Sequence, residues 1–195
     1  MTRPTHIDTG HLVEIARKLF LKKGYAVSTA EIATEAGISE GSIFRRFPTK
    51  AALFRAAMGI PDFDLEKAIA DLREENSFRQ NLVLLITKLL DFQRQVIPRI
   101  IMMWSLPRIV PIDALHPIDD KPPWKILKIL TDFLTEETRA GHLSVKNADI
   151  TARTIIGATH SFAFMEFMEH KAGRKPKEMD FAGELIDLLW EGIAP

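Results

Sequence analysis

Ser28-Thr-Ala-Glu-Ile-Ala-Thr-Glu-Ala-Gly-Ile-Ser-Glu-Gly-Ser-Ile-Phe-Arg-Arg-Phe-Pro-Thr-Lys50 is the stretch that decides the fold. It reads as two short helices joined by a glycine-containing turn. Ser28 and Glu31 have the spacing of a capping box, in which the serine accepts from the Glu31 backbone N–H and the glutamate reaches back. Ile32, Ala33 and Ala36 then make a small apolar stripe at helical spacing. Ala36-Gly37-Ile38 supplies the turn and Ser39 the cap of the next helix. That second helix carries Ile43 and Phe47 on one face and Glu40, Ser42, Arg45 and Arg46 elsewhere. It is too short to stand alone and needs neighbours to hold it. The economical reading is a helix-turn-helix.

The flanks agree. Leu12, Ile15, Ala16, Leu19 and Phe20 form an i, i+3, i+4, i+7, i+8 stripe, so an amphipathic helix precedes the motif. Gly24 follows its Lys22-Lys23 end, which suits both a left-handed stop and the negative helix terminus. Pro48-Thr49-Lys50 opens a further helix through about Met58, with Ala52, Leu53 and Ala56 inward. These segments predict a small three-helix head with a connecting helix.

From His11 to Met58 the chain resembles the TetR (tetracycline-repressor-like) family of bacterial transcriptional regulators. The resemblance is carried by Ala16-x-x-Leu19-Phe20, Lys23-Gly24-Tyr25, Glu31-Ile32-Ala33, Ala36-Gly37-Ile38-Ser39, Gly41-Ser42-Ile43-Phe44, Phe47-Pro48-x-Lys50 and Ala52-Leu53-Phe54. Each piece alone is weak; their order and spacing are specific. Two departures stand out. Phe44 occupies a position where the family commonly has a tyrosine whose hydroxyl touches a phosphate, and the interval from Gly24 to Ile32 is one residue shorter than usual.

Composition bounds the alternatives. The 195 residues are 46% apolar, enough for one core-bearing domain plus an appended head. There is no cysteine, so neither a disulfide framework nor a thiolate metal site is on offer. Residues 1–10 lack the apolar core of a signal peptide, and no apolar run has the length of a membrane span, so a soluble cytoplasmic protein is expected. Net charge is zero, yet it is unevenly spread. Residues 1–60 hold nine Lys/Arg (Arg3, Arg17, Lys18, Lys22, Lys23, Arg45, Arg46, Lys50, Arg55) against five acids, a balance of +4 that leaves −4 for the rest. A basic head on an acidic body turns the head toward phosphate. Taken alone such asymmetry is ordinary surface charge; beside a helix-turn-helix it supports DNA binding.

The remainder reads as successive helices without strand alternation. Asp64 starts one that runs to about Glu75, Ser77–Val96 is long, and Pro98 opens a shorter one through Trp104. Five prolines between 105 and 123 predict a loop. Trp124–Ala140, Asn147–His170 and Asp180–Gly192 complete the set. The expected fold is all-α with about nine helices. Residues 1–58 form the helix-turn-helix DNA-binding domain and 59–195 a larger regulatory and dimerisation domain.

At the DNA, phosphate contacts set register and base-edge contacts set sequence. Ser28 and Thr29, at the start of the motif's first helix, suit a phosphate. Ser39, Glu40, Gly41 and Ser42 form the exposed start of the recognition helix, where Gly41 admits close backbone approach. Glu40 accepts from a cytosine amino group or complements the helix terminus. Arg45 is the candidate for a bidentate guanine contact, Arg46 reaches a base or a phosphate, and Lys50 is the phosphate clamp. Phe44 and Phe47 read as core more readily than as stacking residues. By the resemblance, Ala30 stands where a longer side chain often reaches a base.

The last two long helices carry facing stripes: Ala152, Ile155, Ile156, Thr159, Phe162, Ala163 and Glu166 on one, Phe181, Leu185, Leu188 and Leu189 on the other. They pack within one chain or form a two-fold four-helix interface; the resemblance implies the homodimer, and with it an inverted-repeat operator. The resemblance also implies a pocket for a small hydrophobic ligand, with Phe92, Met102, Met103, Trp104, Phe133, His160 and Phe164 as candidate lining. Arg94, Arg99 and His160 are candidates for its polar end. No phosphate loop, nucleophile elbow or metal-ligand spacing is present, so neither enzyme activity nor a cofactor is expected. The leading function is a ligand-released repressor. An architectural DNA binder without effector and a helical hydrophobic-ligand carrier are the alternatives.

Overall fold

The structure, a computed structural model, describes residues 8–72, 76–106, 122–175 and 179–193. These residues form nine helices and no strand: α1 (Thr9–Lys23), α2 (Thr29–Glu35), α3 (Glu40–Phe44), α4 (Lys50–Met58), α5 (Leu65–Ala70), α6 (Phe78–Trp104), α7 (Pro122–Arg139), α8 (Ala148–Lys171) and α9 (Phe181–Ile193). They fall into two compact units. One holds 8–60 with 98–106; the other holds the described residues of 61–97 and 122–193.

In the first unit each helix begins where a side chain accepts a backbone N–H that the helix leaves unpaired. Asp8 accepts from Gly10 (3.1 Å), Ser28 from Glu31 (3.1 Å), Ser39 from Ser42 (3.2 Å) and Thr49 from Ala52 (3.0 Å). Such caps stabilise by about 1 kcal/mol each. The α2–α3 turn needs a left-handed residue, and Gly37 supplies it at φ +63°. Ile38 N–H then reaches Ala33 O (3.0 Å) and Gly37 N–H reaches Thr34 O (3.1 Å), the paired bonds of a Schellman stop.

The faces these helices bury meet in one core: Leu12, Ala16 and Phe20 of α1, Val27, Ile32 and Ala33, Ile43 of α3, and Leu53, Phe54, Ala57 and Met58 of α4, with Met103 of α6. Phe54 sits edge-on to both Phe20 and Tyr25, each at 5.1 Å between ring centroids. The end of α4 is held by two arginines. Arg17 Nε donates to Ala57 O (2.7 Å) and Arg99 Nη1 to Gly59 O (2.6 Å). Arg99 is buried. Burial, and next the Arg17 charge, push its pKa below the ordinary value, and the carbonyl end of the helix is its compensation.

In the second unit α5, α6 up to Ile97, α7, α8 and α9 bury an aliphatic core that includes Leu82, Leu85, Ile86, Leu89, Ile126, Leu130, Leu134, Ile155 and Ile186. Arg94 forks onto Glu166 with two 2.8 Å bonds, tying α6 to α8, and also meets Asp91 at 3.0 Å. The Glu166 bonds raise the Arg94 pKa against partial burial, with Asp91 adding to them. Phe162 and Phe181 stack at 4.1 Å, joining α8 to α9, and Ser144 N–H closes onto Ile193 O at 2.9 Å. No helix among the described residues is long and apolar enough to cross a membrane.

Several expectations are corrected. Pro98 does not open a new helix: α6 runs unbroken through it. The proline forgoes one backbone hydrogen bond, but Val96 and Ile97 before it and Met103 after it are buried, and that burial keeps the helical course. The helix after Asp64 ends at Ala70, where the Asp71 N–H closes onto Lys67 O at 2.9 Å; residues 73–75, expected within it, lie outside the described residues. Phe44, expected in the core, is 43% exposed; Ile43 takes the one inward position of a five-residue helix. The reciprocal half of the capping box is replaced, since Glu31 pairs with Lys23. The proline-rich stretch expected as a loop has residues 107–121 outside the described residues.

Candidate nucleic-acid interface

The exposed positions of α2, α3 and the start of α4 are mostly polar, and the core beneath them explains why. Ile32, Ala33 and Ile43 take the inward positions, which leaves Ser28, Ala30, Ser39, Glu40, Gly41, Phe44 and Arg45 exposed. Ser42 is half-buried, its hydroxyl 2.9 Å from that of Ser39. Backbone bonds from Arg45 N–H to Gly41 O (3.1 Å) and Phe47 N–H to Ile43 O (2.9 Å) carry the helical course past Phe44, so the arginines follow directly on α3.

The cations differ in what holds them. No side chain or carbonyl among the described residues holds the Arg45 guanidinium. Arg46 is half-buried and donates to Ser42 O at 2.9 Å. Lys50 lies over the Tyr25 ring, 4.5 Å from its centroid, a cation–π seat that restrains a long flexible side chain while leaving its charge available. Tyr25 was missed as a contributor in the sequence reading. It stands within the Lys23-Gly24-Tyr25 motif, but nothing local says it will meet Lys50. Thr29 is buried at 8% exposure, and its hydroxyl donates to the Glu40 carboxylate.

Gly41 is informative. A Cβ built there meets nothing closer than Ser39 Oγ at 3.9 Å, an ordinary contact, so no packing within the chain demands glycine. Glycine costs a helix about 1 kcal/mol relative to alanine. Gly41→Ala is therefore expected to leave thermal stability unchanged or slightly raised while weakening DNA binding at least several-fold; equal affinity for DNA would show that no backbone approaches this point.

The remaining candidates are dispersed. Phe92 lines a cavity of about 420 Å³ beside Phe63, Phe133 one of about 580 Å³ between α5, α6 and α7, and His160 one of about 350 Å³ between α7 and α8. Phe164 is exposed on α8, Trp104 is exposed at the end of α6, and Met102 and Met103 pack in the first unit's core. Arg99 and Arg94 are engaged as described above. Of the α8 and α9 stripes, Ala152, Ile155, Thr159, Ala163 and Leu185 are buried within their own unit, while Ile156, Phe162, Glu166, Phe181 and Leu189 are half-buried. Leu188 is 79% exposed.

Residues 12–57 match the family profile described as bacterial regulatory proteins, tetR family. The fold of the whole chain is that of a putative TetR-family transcriptional regulator from Mesorhizobium loti, with a TM-score of 0.66 at 16% identity over 95% of this chain and 96% of that one. The similarity to tetR-family regulators thus lies in the sequence of residues 12–57, and over the rest of the chain it is one of fold. FadR from Bacillus subtilis, solved with stearoyl-CoA, shares the fold with a TM-score of 0.59 at 19% identity, covering 93% of this chain and 97% of FadR. The nucleoid occlusion factor SlmA of Shewanella sediminis is 31% identical over 90 residues, 44% of this chain and 44% of SlmA, so the chain spans under half of that relative's length. The matched residues run from α1 to α4, with α2 and α3 as the helix-turn-helix.

Proposed function

We propose that the protein is a homodimeric repressor that binds an inverted-repeat operator and leaves it when a small hydrophobic ligand binds the helical body. The observation that carries the DNA side is Arg45: an exposed guanidinium that nothing among the described residues holds, set directly after a short helix whose glycine no described contact requires. A guanidinium so placed matches the paired acceptors of guanine in the major groove, with Lys50 on a phosphate. Ser39, Ser42 and Arg46 flank that contact. The division of labour follows residue 58, with 1–58 on DNA and 59–195 regulating and dimerising, in a soluble cytoplasmic protein. Selecting bound sequences from a random DNA pool tests this: an inverted repeat should emerge, and scrambled DNA competing equally well in a gel shift would overturn the reading.

In a dimer through α8 and α9 each protomer's helix-turn-helix would read one half-site, the two half-sites lying one helical turn, about 34–36 Å, apart. Exposed apolar side chains on both helices support such a dimer, Phe164, Met165 and Met168 of α8 and Leu188 of α9, since several of them are more informative than one scattered surface leucine. Leu188→Glu should leave the fold intact and shift sedimentation equilibrium from dimer to monomer at micromolar concentration. A dimer that persists would move the interface elsewhere.

For the effector, the cavities in the second unit lie within or near the usual range of about 300–1,000 Å³ for ligand sites. The one at His160 has Trp124, Leu127 and Ile156 for walls. FadR from Bacillus subtilis, which shares the fold, is solved with stearoyl-CoA, and that supports an apolar ligand here. A ligand that favours the conformation with wrongly spaced heads releases DNA by population shift. Thermal stabilisation by members of an apolar-ligand library, with loss of the gel shift, tests it; if no ligand stabilises, the architectural binder becomes the better reading.

A further inference from the structure

The two helices of the motif are joined at their leading ends by one side-chain bond. Thr29 opens α2 and Glu40 opens α3, and the Thr29 hydroxyl donates to Glu40 Oε1. Thr29 is buried and β-branched, so its χ1 is restricted and its hydroxyl acts as a fixed donor. Glu40 is exposed, as are Gly41 and Arg45. Helix capping does not account for the carboxylate, because Ser28 and Ser39 already accept from the N–H groups of Glu31 and Ser42.

We propose that Thr29 is a positioning residue that aims the Glu40 carboxylate at a cytosine amino group, making α3 selective for C·G at one position of each half-site. This rests on the regulator reading above. An ionised carboxylate only accepts hydrogen bonds. In the major groove guanine offers N7 and O6 and thymine O4, all acceptors that repel it. Adenine offers an amino group, but with the N7 acceptor beside it on the same edge. Cytosine offers N4–H₂ with no neighbouring acceptor of its own, so cytosine is the base this group fits. The Thr29 bond occupies part of one oxygen and leaves the rest of the carboxylate as acceptor.

The test compares sequences selected from random DNA by the full-length wild type, Glu40→Gln, Thr29→Val and Thr29→Ser, with circular dichroism melting as a check on folding. The wild type should enrich C·G at one position per half-site, by roughly 5- to 150-fold over other pairs. Glu40→Gln should move that position toward A·T, because an amide pairs with adenine N6 and N7. Thr29→Val should flatten the same position and leave the others unchanged, and Thr29→Ser should restore it. If Glu40→Gln and Thr29→Val keep the wild-type preference at every position and change only melting or overall affinity, the pair is structural and the proposal fails. A wild type that enriches no sequence at all would instead overturn the regulator reading itself.

Discussion

Arg45→Ala should sharply reduce discrimination between the operator and scrambled DNA while leaving the protein as stable as before. The side chain is exposed and no group of the described chain depends on it, so the folded state loses nothing. A bidentate arginine–guanine contact is worth about 1–3 kcal/mol. A dimer forfeits it twice, which predicts a fall in operator affinity of roughly 30-fold to more than 10⁴-fold. Lys50→Ala gives the contrasting signature. Removing a phosphate contact weakens all sequences about equally and lowers the salt dependence by about one counterion per site. Gel shifts at several salt concentrations separate the two. Should Arg45→Ala weaken operator and scrambled DNA by the same factor, the arginine reads backbone rather than base.

Phe54→Ala should have the largest effect on stability. The ring is fully buried at the centre of the first unit and sits edge-on to Phe20 and Tyr25. Truncating such a phenylalanine costs about 3–5 kcal/mol, a large part of the roughly 5–15 kcal/mol that holds a typical domain. Its consequences reach the DNA face by a short route. Tyr25 seats Lys50 and touches Phe54, so the cavity unsettles the phosphate clamp as well as the core. Circular dichroism of the full chain should show an early melting transition that the wild type lacks, with DNA binding lost above it. Phe54→Leu, which keeps most of the volume, should fall between the two. An unchanged melting curve for the alanine variant would mean that this core is not what holds the motif.

How much of this was legible beforehand follows a pattern. The caps at Ser28, Ser39, Thr49, Asp64 and Asn147, the stops at Gly24 and Gly37, and the buried stripe of α1 could all be read directly, because the residues concerned are neighbours in the chain. The family resemblance emerged for the same reason: residues 12–57, which match the tetR-family profile, are a run of such local signals in a fixed order. Reading failed where a helix is too short for its period to choose a face, as at Phe44. It failed again where burial on both sides of Pro98 outweighed a local breaker.

Helix content, turn positions and the placement of charge were thus already determined by the chain's covalent order, since each depends on interactions within a few residues. The partners of the site's side chains were decided only by tertiary packing. Lys50 on Tyr25, Thr29 on Glu40, and Arg17 and Arg99 on the end of α4 are meetings of residues far apart in sequence. No periodicity encodes such pairs. They exist because the core brings distant backbone segments within hydrogen-bonding reach, and a side chain takes the partner that its burial leaves available.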